Sequence, residues 1–118
     1  MAATGTISTS EAQGVAALFR LLGDPSRCRL VYALLDAGEI CVGELAESLA
    51  MSDSNVSHHL GLLRAHGLVR YRREGRQVFY SPDDEHIRLL LDLTREHVRH
   101  GGEADGAVDG YWRTRSTP

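Results

Sequence analysis

The chain contains no lysine: all 13 of its basic side chains are arginine. It has only two cysteines, Cys28 and Cys41, too few for a disulfide framework, which fits a cytosolic protein. No apolar run approaches bilayer-spanning length, so no membrane partner is expected. The opening residues, Met1-Ala2-Ala3-Thr4-Gly5, lack a basic start followed by an apolar stretch. They therefore do not read as a signal peptide, and the expected location is the cytoplasm. No internal repeat is visible. No nucleophile–base pair, phosphate-cradling loop or open-coordination metal motif appears either, so the sequence does not read as an enzyme. With a formal charge of −3 the chain as a whole is not basic, and any polyanion contact must rest on local charge. Its 118 residues, 42% apolar, suit one small domain whose core would gain from dimerisation.

Chemistry is concentrated between Asp84 and His100. Ser81-Pro82-Asp83-Asp84 reads as a helix start, with Ser81 capping, Pro82 at the first helical position and acids where the helix dipole favours them. Gly101-Gly102 reads as its end. The interval predicts one helix of about five turns. On it, Asp84, His86, His97 and His100 have metal-ligand character. His86 and His97 share a face but lie roughly 16 Å apart along the axis, so one helix cannot bring all four groups to a single ion. Two antiparallel copies can, if Asp84 and His86 of one chain meet His97 and His100 of the other. A twofold dimer then holds two identical sites. One carboxylate and three imidazoles suit Zn(II), with Co(II) as a mimic and Ni(II) as a further option. Ile87, Leu90, Leu91, Thr94 and Val98 supply an adjoining apolar face.

Ahead of this helix, residues 1–10 read as a mobile arm. Glu11 to Leu22 predicts a first helix with Val15, Leu18, Phe19 and Leu22 on its apolar face. Asp24-Pro25-Ser26 caps a second, with Cys28, Val31, Tyr32 and Leu35 inward and Gly38 as its stop. Glu39 to Val42 leans towards strand. Gly43 to Ala50 predicts a third helix with Leu45, Ala46 and Leu49 inward. A tight turn then leads to Ser52, the cap of a fourth helix ending near His66. There Val56, Leu60 and Leu63 face the core, and Ser54, Asn55, Ser57, His58 and Gly61 face outward. Two helices joined by a short turn, the second polar outside, make a helix-turn-helix. Val69 to Arg73 and Arg76 to Tyr80, flanking Glu74-Gly75, predict a two-stranded hairpin, and a hairpin after a helix-turn-helix is a wing. Residues 101–118 are Gly-rich and acidic and predict a flexible tail beyond a domain at 11–100.

The segments Gly23-Asp24-Pro25-Ser26-Arg27-Cys28-Arg29-Leu30, Ser54-Asn55-Val56-Ser57-His58-His59-Leu60, Gly67-Leu68-Val69 and Gly75-Arg76-Gln77-Val78-Phe79-Tyr80 together resemble the ArsR/SmtB family of metal-sensing bacterial repressors. Asp84, His86, His97 and His100 fall on the pattern of its zinc-sensing branch, D-x-H-x(10)-H-x(2)-H/E. The resemblance implies a mainly α (α+β) winged helix-turn-helix homodimer of about five helices, joined through its first and last helices. The metal-free dimer would bind operator DNA and metal would release it. The family's other metal site uses a Cys-x-Cys pair at the third helix. Here Cys41 remains and Gly43 stands at the second position, so that site is not expected.

From Arg64 to Arg76 there are five arginines against one glutamate, a local patch that would face phosphates through Arg64, Arg72, Arg73 and Arg76. Ser54, Asn55, Ser57 and His58 would enter the major groove, Asn55 suiting adenine. Asp53 adds a negative charge beside them. The resemblance further implies that His97 donates its second ring N–H to a carbonyl near Gly67, linking metal to the recognition helix. An alternative is a repressor of the same fold that senses oxidants through Cys28 and Cys41.

Overall fold

The computed structural model describes the backbone of residues 5–105 and the side chains of residues 5–101. The expected arm and tail therefore lie partly outside the described residues. The chain divides into two units after Asp83.

The first unit opens with α1 (Thr9–Leu22), whose start is fixed by Ser8 Oγ accepting from the Glu11 amide at 3.0 Å. Helix α2 (Pro25–Ala37) is capped in the same way: Asp24 Oδ2 accepts from the Arg27 amide at 3.0 Å, with Pro25 at the first helical position. Gly38, at φ +80°, ends it in a conformation that side chains resist. Strand β1 (Ile40–Cys41) leads into α3 (Val42–Leu49). Ala50 then takes the left-handed conformation, φ 57°, so that the Met51 amide closes on the Ala46 carbonyl at 3.0 Å. Ser52 Oγ accepts from the Asn55 amide at 3.0 Å and starts α4 (Asp53–Ala65).

Strands β2 (Val69–Glu74) and β3 (Gln77–Pro82) form the hairpin. Glu74 pairs with Gln77, so the two-residue loop is Gly75-Arg76 rather than Glu74-Gly75. Gly75 supplies the positive φ, 62°, that such a loop needs. The wing also gains a strand: β1 pairs antiparallel with β3, giving the order β1-β3-β2.

Leu30, Leu34, Leu45, Val56, Leu60 and Leu63 have no exposed surface, so α2, α3 and α4 meet in one apolar centre. The inward faces expected for α3 and α4 are the buried ones. Helix α1 differs. Leu21 is its buried residue, whereas Val15 and Phe19 are 42% and 56% exposed. In α2, Leu30 and Leu34 take the deepest positions, while Cys28 and Tyr32 are only half-buried.

The second unit is α5 (Glu85–Asp105). Its start differs from expectation. Ser81 and Pro82 belong to β3, where they pair with Arg70 and Val69. Asp84 is the cap instead, its Oδ1 accepting from the amides of His86 at 2.9 Å and Ile87 at 3.3 Å. The helix also runs through Gly101 and Gly102 rather than stopping there.

Candidate nucleic-acid interface and metal centre

Helix α4 has two sharply different faces. Val56, Leu60 and Leu63 anchor one side in the core. Ser54, Asn55, Ser57, His58 and Gly61 are exposed on the other. A helical glycine usually makes room for a neighbour, but a Cβ at Gly61 meets nothing within 4 Å. His59 lies between the faces, half-buried, and its Nδ1 is buried without a hydrogen-bond partner. Burial first, then the nearby Arg27 guanidinium, holds its imidazole below the usual histidine range, while Asp24 pulls the other way.

The wing arginines differ in their commitments. Arg64, at the end of α4, lies over the Tyr71 ring at 4.7 Å, and Tyr71 in turn packs against Tyr80 at 5.7 Å. Arg72 is engaged through all three of its nitrogens, although half of its side chain stays exposed. Its Nε and Nη2 donate to the two carboxylate oxygens of Glu39 at 2.8 and 2.9 Å, and its Nη1 donates to Glu74 at 2.7 Å. Its guanidinium also stacks over Phe79 at 4.8 Å. The hydrogen bond from Arg72 holds the Glu39 carboxyl below the usual range, and the two carboxylates push Arg72 upward. Among the described residues, neither Arg73 nor Arg76 has an ion-pair partner. Glu39 has no signal in the sequence; it lies 33 residues from Arg72, outside any local pattern.

On α5, Asp84 and His86 converge: Nδ1 of His86 lies 3.6 Å from the capping oxygen of Asp84. His97 and His100 are exposed further along. Among the described residues of one chain, no three His, Cys, Asp or Glu side chains gather as a metal site. The helix register adds a feature absent from the sequence reading. At 100° per residue, His86, Leu89, Leu93, His97 and His100 share one stripe. Leu89 and Leu93 are 59% and 67% exposed there. Ile87, Leu90 and Leu91, on the adjoining face, are shielded. Gly67 follows α4 with φ +75°, its amide donating to the Arg64 carbonyl at 3.0 Å.

Both cysteines are free thiols. Burial pushes the Cys28 thiol upward. Cys41 Sγ lies 3.5 Å from a Glu44 carboxylate oxygen.

Residues 24–71 match the bacterial regulatory protein, arsR family. A transcriptional repressor SmtB homolog from Synechocystis sp. is 46% identical over 99 residues, spanning 84% of this chain and 72% of that protein. The chain belongs to the ArsR family. A cadmium resistance transcriptional regulatory protein, a CadC homolog from Staphylococcus aureus, is 41% identical over 85 residues, or 72% of this chain and 70% of that one. Among solved structures, a homodimeric winged helix-turn-helix DNA-binding domain from Mycobacterium bovis superposes with a TM-score of 0.73 at 26% identity, covering 84% of this chain and 91% of that chain. As an ArsR-family member the protein is a DNA-binding transcriptional regulator rather than an enzyme. Among the described residues, no helix is long and apolar enough to cross a membrane.

Proposed function

We propose that this ArsR-family protein is a cytoplasmic, metal-responsive repressor that binds operator DNA as a homodimer and leaves it when Zn(II), or Co(II) or Ni(II), binds between subunits. The observation that carries this reading is the α5 stripe. Exposed Leu89 and Leu93 sit between His86 on one side and His97 and His100 on the other. A twofold axis near Leu93 would bury the leucines against their copies. It would also place Asp84 and His86 of one chain beside His97 and His100 of the other. Exposed Val15 and Phe19 on α1 offer a second apolar surface for the same partner. The homodimeric state of the Mycobacterium bovis domain and the cadmium resistance in the name of the CadC homolog support the same reading.

The donor set fits the ion. Asp84 spends Oδ1 on the helix cap and keeps Oδ2 for a cation. Bound there, the metal would supply a rigid cross-link between subunits. The chain's own residues do the rest. Ser54, Asn55, Ser57 and His58 face the major groove, while Arg64, Arg73 and Arg76 face phosphates. In the metal-bound dimer the ring N–H that His97 leaves off the metal would be free to donate towards the end of α4, and that would couple the interface to the recognition helix. The coupling is reciprocal, so DNA weakens metal binding by the factor by which metal weakens DNA binding. The oxidant-sensing alternative draws no support from Cys28, whose raised thiol is a poor thiolate source.

The deciding experiment titrates Co(II) and Zn(II) into the purified dimer. It is followed by Co(II) d–d absorption and by release of a duplex selected from a random pool. Intense four-coordinate bands, lost together with release in His97→Ala and His100→Ala but kept in Cys28→Ser and Cys41→Ser, are expected. Release that depends on the cysteines and not the histidines would overturn the assignment.

A further inference from the structure

Arg72 has the composition of a phosphate contact and the geometry of something else. Its fork meets both oxygens of Glu39, at 2.8 and 2.9 Å, while its remaining arm reaches Glu74 at 2.7 Å. The plane of the guanidinium lies over Phe79 at 4.8 Å. Glu39 immediately precedes β1, Arg72 and Glu74 lie in β2, and Phe79 lies in β3 opposite both Cys41 and Arg72. One side chain therefore spans all three strands. Strand β1 runs straight into α3, the first helix of the helix-turn-helix. Bidentate arginine–carboxylate pairs fix geometry as well as charge, and lysine cannot reproduce them.

Strand alternation separates the arginines further. Arg70, Arg72 and Glu74 share one face of β2, and Val69, Tyr71 and Arg73 the other. Arg73 lies on the face of Tyr71, the ring that carries Arg64 from the end of the recognition helix. Arg76 sits at the tip of the loop.

We infer that Arg72 is a positioning residue: with Glu39 and Glu74 it clamps the wing to the strand that enters the helix-turn-helix, and phosphate contact in the wing falls to Arg73 and Arg76. This rests on the DNA-binding reading of the site and sorts its charges. A free arginine at a phosphate releases counterions on binding. A clamped one sets the wing's angle and releases none.

The test measures affinity for a mixed-sequence duplex, and for the duplex the protein selects from a random pool, across a salt series. Each phosphate contact adds about 0.9 to the slope of log affinity against log salt. Arg73→Gln and Arg76→Gln are expected to lower the slope by about that amount per subunit contact. Arg72→Gln, and the charge-balanced pair Glu39→Gln with Arg72→Gln, are expected to weaken binding several-fold at unchanged slope. Arg72→Lys is expected to weaken binding as Arg72→Gln does, because the fork is lost while the charge remains. A slope lowered in Arg72→Gln as in Arg76→Gln, or full affinity in Arg72→Lys, would overturn the assignment. A DNA-free measurement separates this from failure of the DNA reading. The Arg72 Nε–H resonance in the full chain should be slow to exchange and should lose that protection in Glu39→Gln. Fast exchange in the unmodified protein overturns the clamp whether or not the chain binds DNA.

Discussion

Gly61 offers a test in which stability and function should move in opposite directions. It lies within α4, away from both ends, on the exposed face shared with Ser54, Ser57 and His58. Glycine inside a helix costs roughly 0.5–1 kcal/mol relative to alanine, through backbone entropy. A Cβ at Gly61 meets nothing within 4 Å, so no internal packing offsets that cost. Gly61→Ala should therefore gain the whole propensity difference. For a domain of this size that is a rise in Tm of about 2–8 °C. If α4 lies in the major groove, the added methyl group enters the closest gap between helix and DNA, and affinity for the selected duplex should fall by about tenfold or more, ~1.4 kcal/mol. Thermal unfolding by circular dichroism and fluorescence anisotropy of a labelled duplex read the two effects separately. Gly67→Ala is the control: its φ of +75° makes alanine strained, so it should lose about 1–2 kcal/mol where Gly61→Ala gains. A stabilised Gly61→Ala with unchanged DNA affinity would remove the outer face of α4 from the interface. A destabilised one would contradict the open space around Gly61.

Other expectations follow from the same geometry. Leu60→Ala, at a position with no exposed surface, should cost about 2–5 kcal/mol in denaturant unfolding; a loss well under that would mean the core collapses around the gap. Leu93→Glu should leave the monomer fold intact, since Leu93 is 67% exposed, yet abolish the dimer in sedimentation equilibrium and metal binding with it; a dimer that still binds Co(II) would refute the α5 pairing. Asp84→Asn should keep the helix cap, because asparagine caps as well as aspartate, while weakening Co(II) affinity; equal affinity would exclude the carboxylate from the site. His59 is held below its unfolded range, so the unfolded chain binds its proton more readily and stability should decline as pH falls below about 6.5. His59→Gln should flatten that decline in unfolding curves at stepped pH, and an unchanged slope would remove His59 as its source.

Some elements were legible residue by residue. Val56, Leu60 and Leu63 declared the inner face of α4 by spacing alone, and the caps at Asp24 and Ser52 are local signals that the structure honours. Non-local pairing hid the rest. Ser81-Pro82 is a good helix start in isolation, but ladder partners Arg70 and Val69 claim both residues for β3, and Asp84 takes over the cap. Gly101-Gly102 reads as a stop, yet α5 runs through it. Val15 and Phe19 have the right period for an inner face, but the chain's own core does not cover them. At the candidate site, Glu39 was invisible because its partner is distant in sequence. The α5 histidines were visible as a pattern, while the exposed leucines between them needed a residue-by-residue measure of exposure.

The order β1-β3-β2 leaves β2 as an open border of the sheet. Such borders are where folded proteins stick together, since the unused peptide groups accept any passing strand. Here that border carries Arg70, Arg72 and Arg73 within six residues. With Arg72 already held by Glu39 and Glu74, two molecules meeting wing to wing would bring Arg70 and Arg73 of both chains together before a single backbone bond could form. A crowded solution of this protein should therefore resist cross-β growth at its most vulnerable seam.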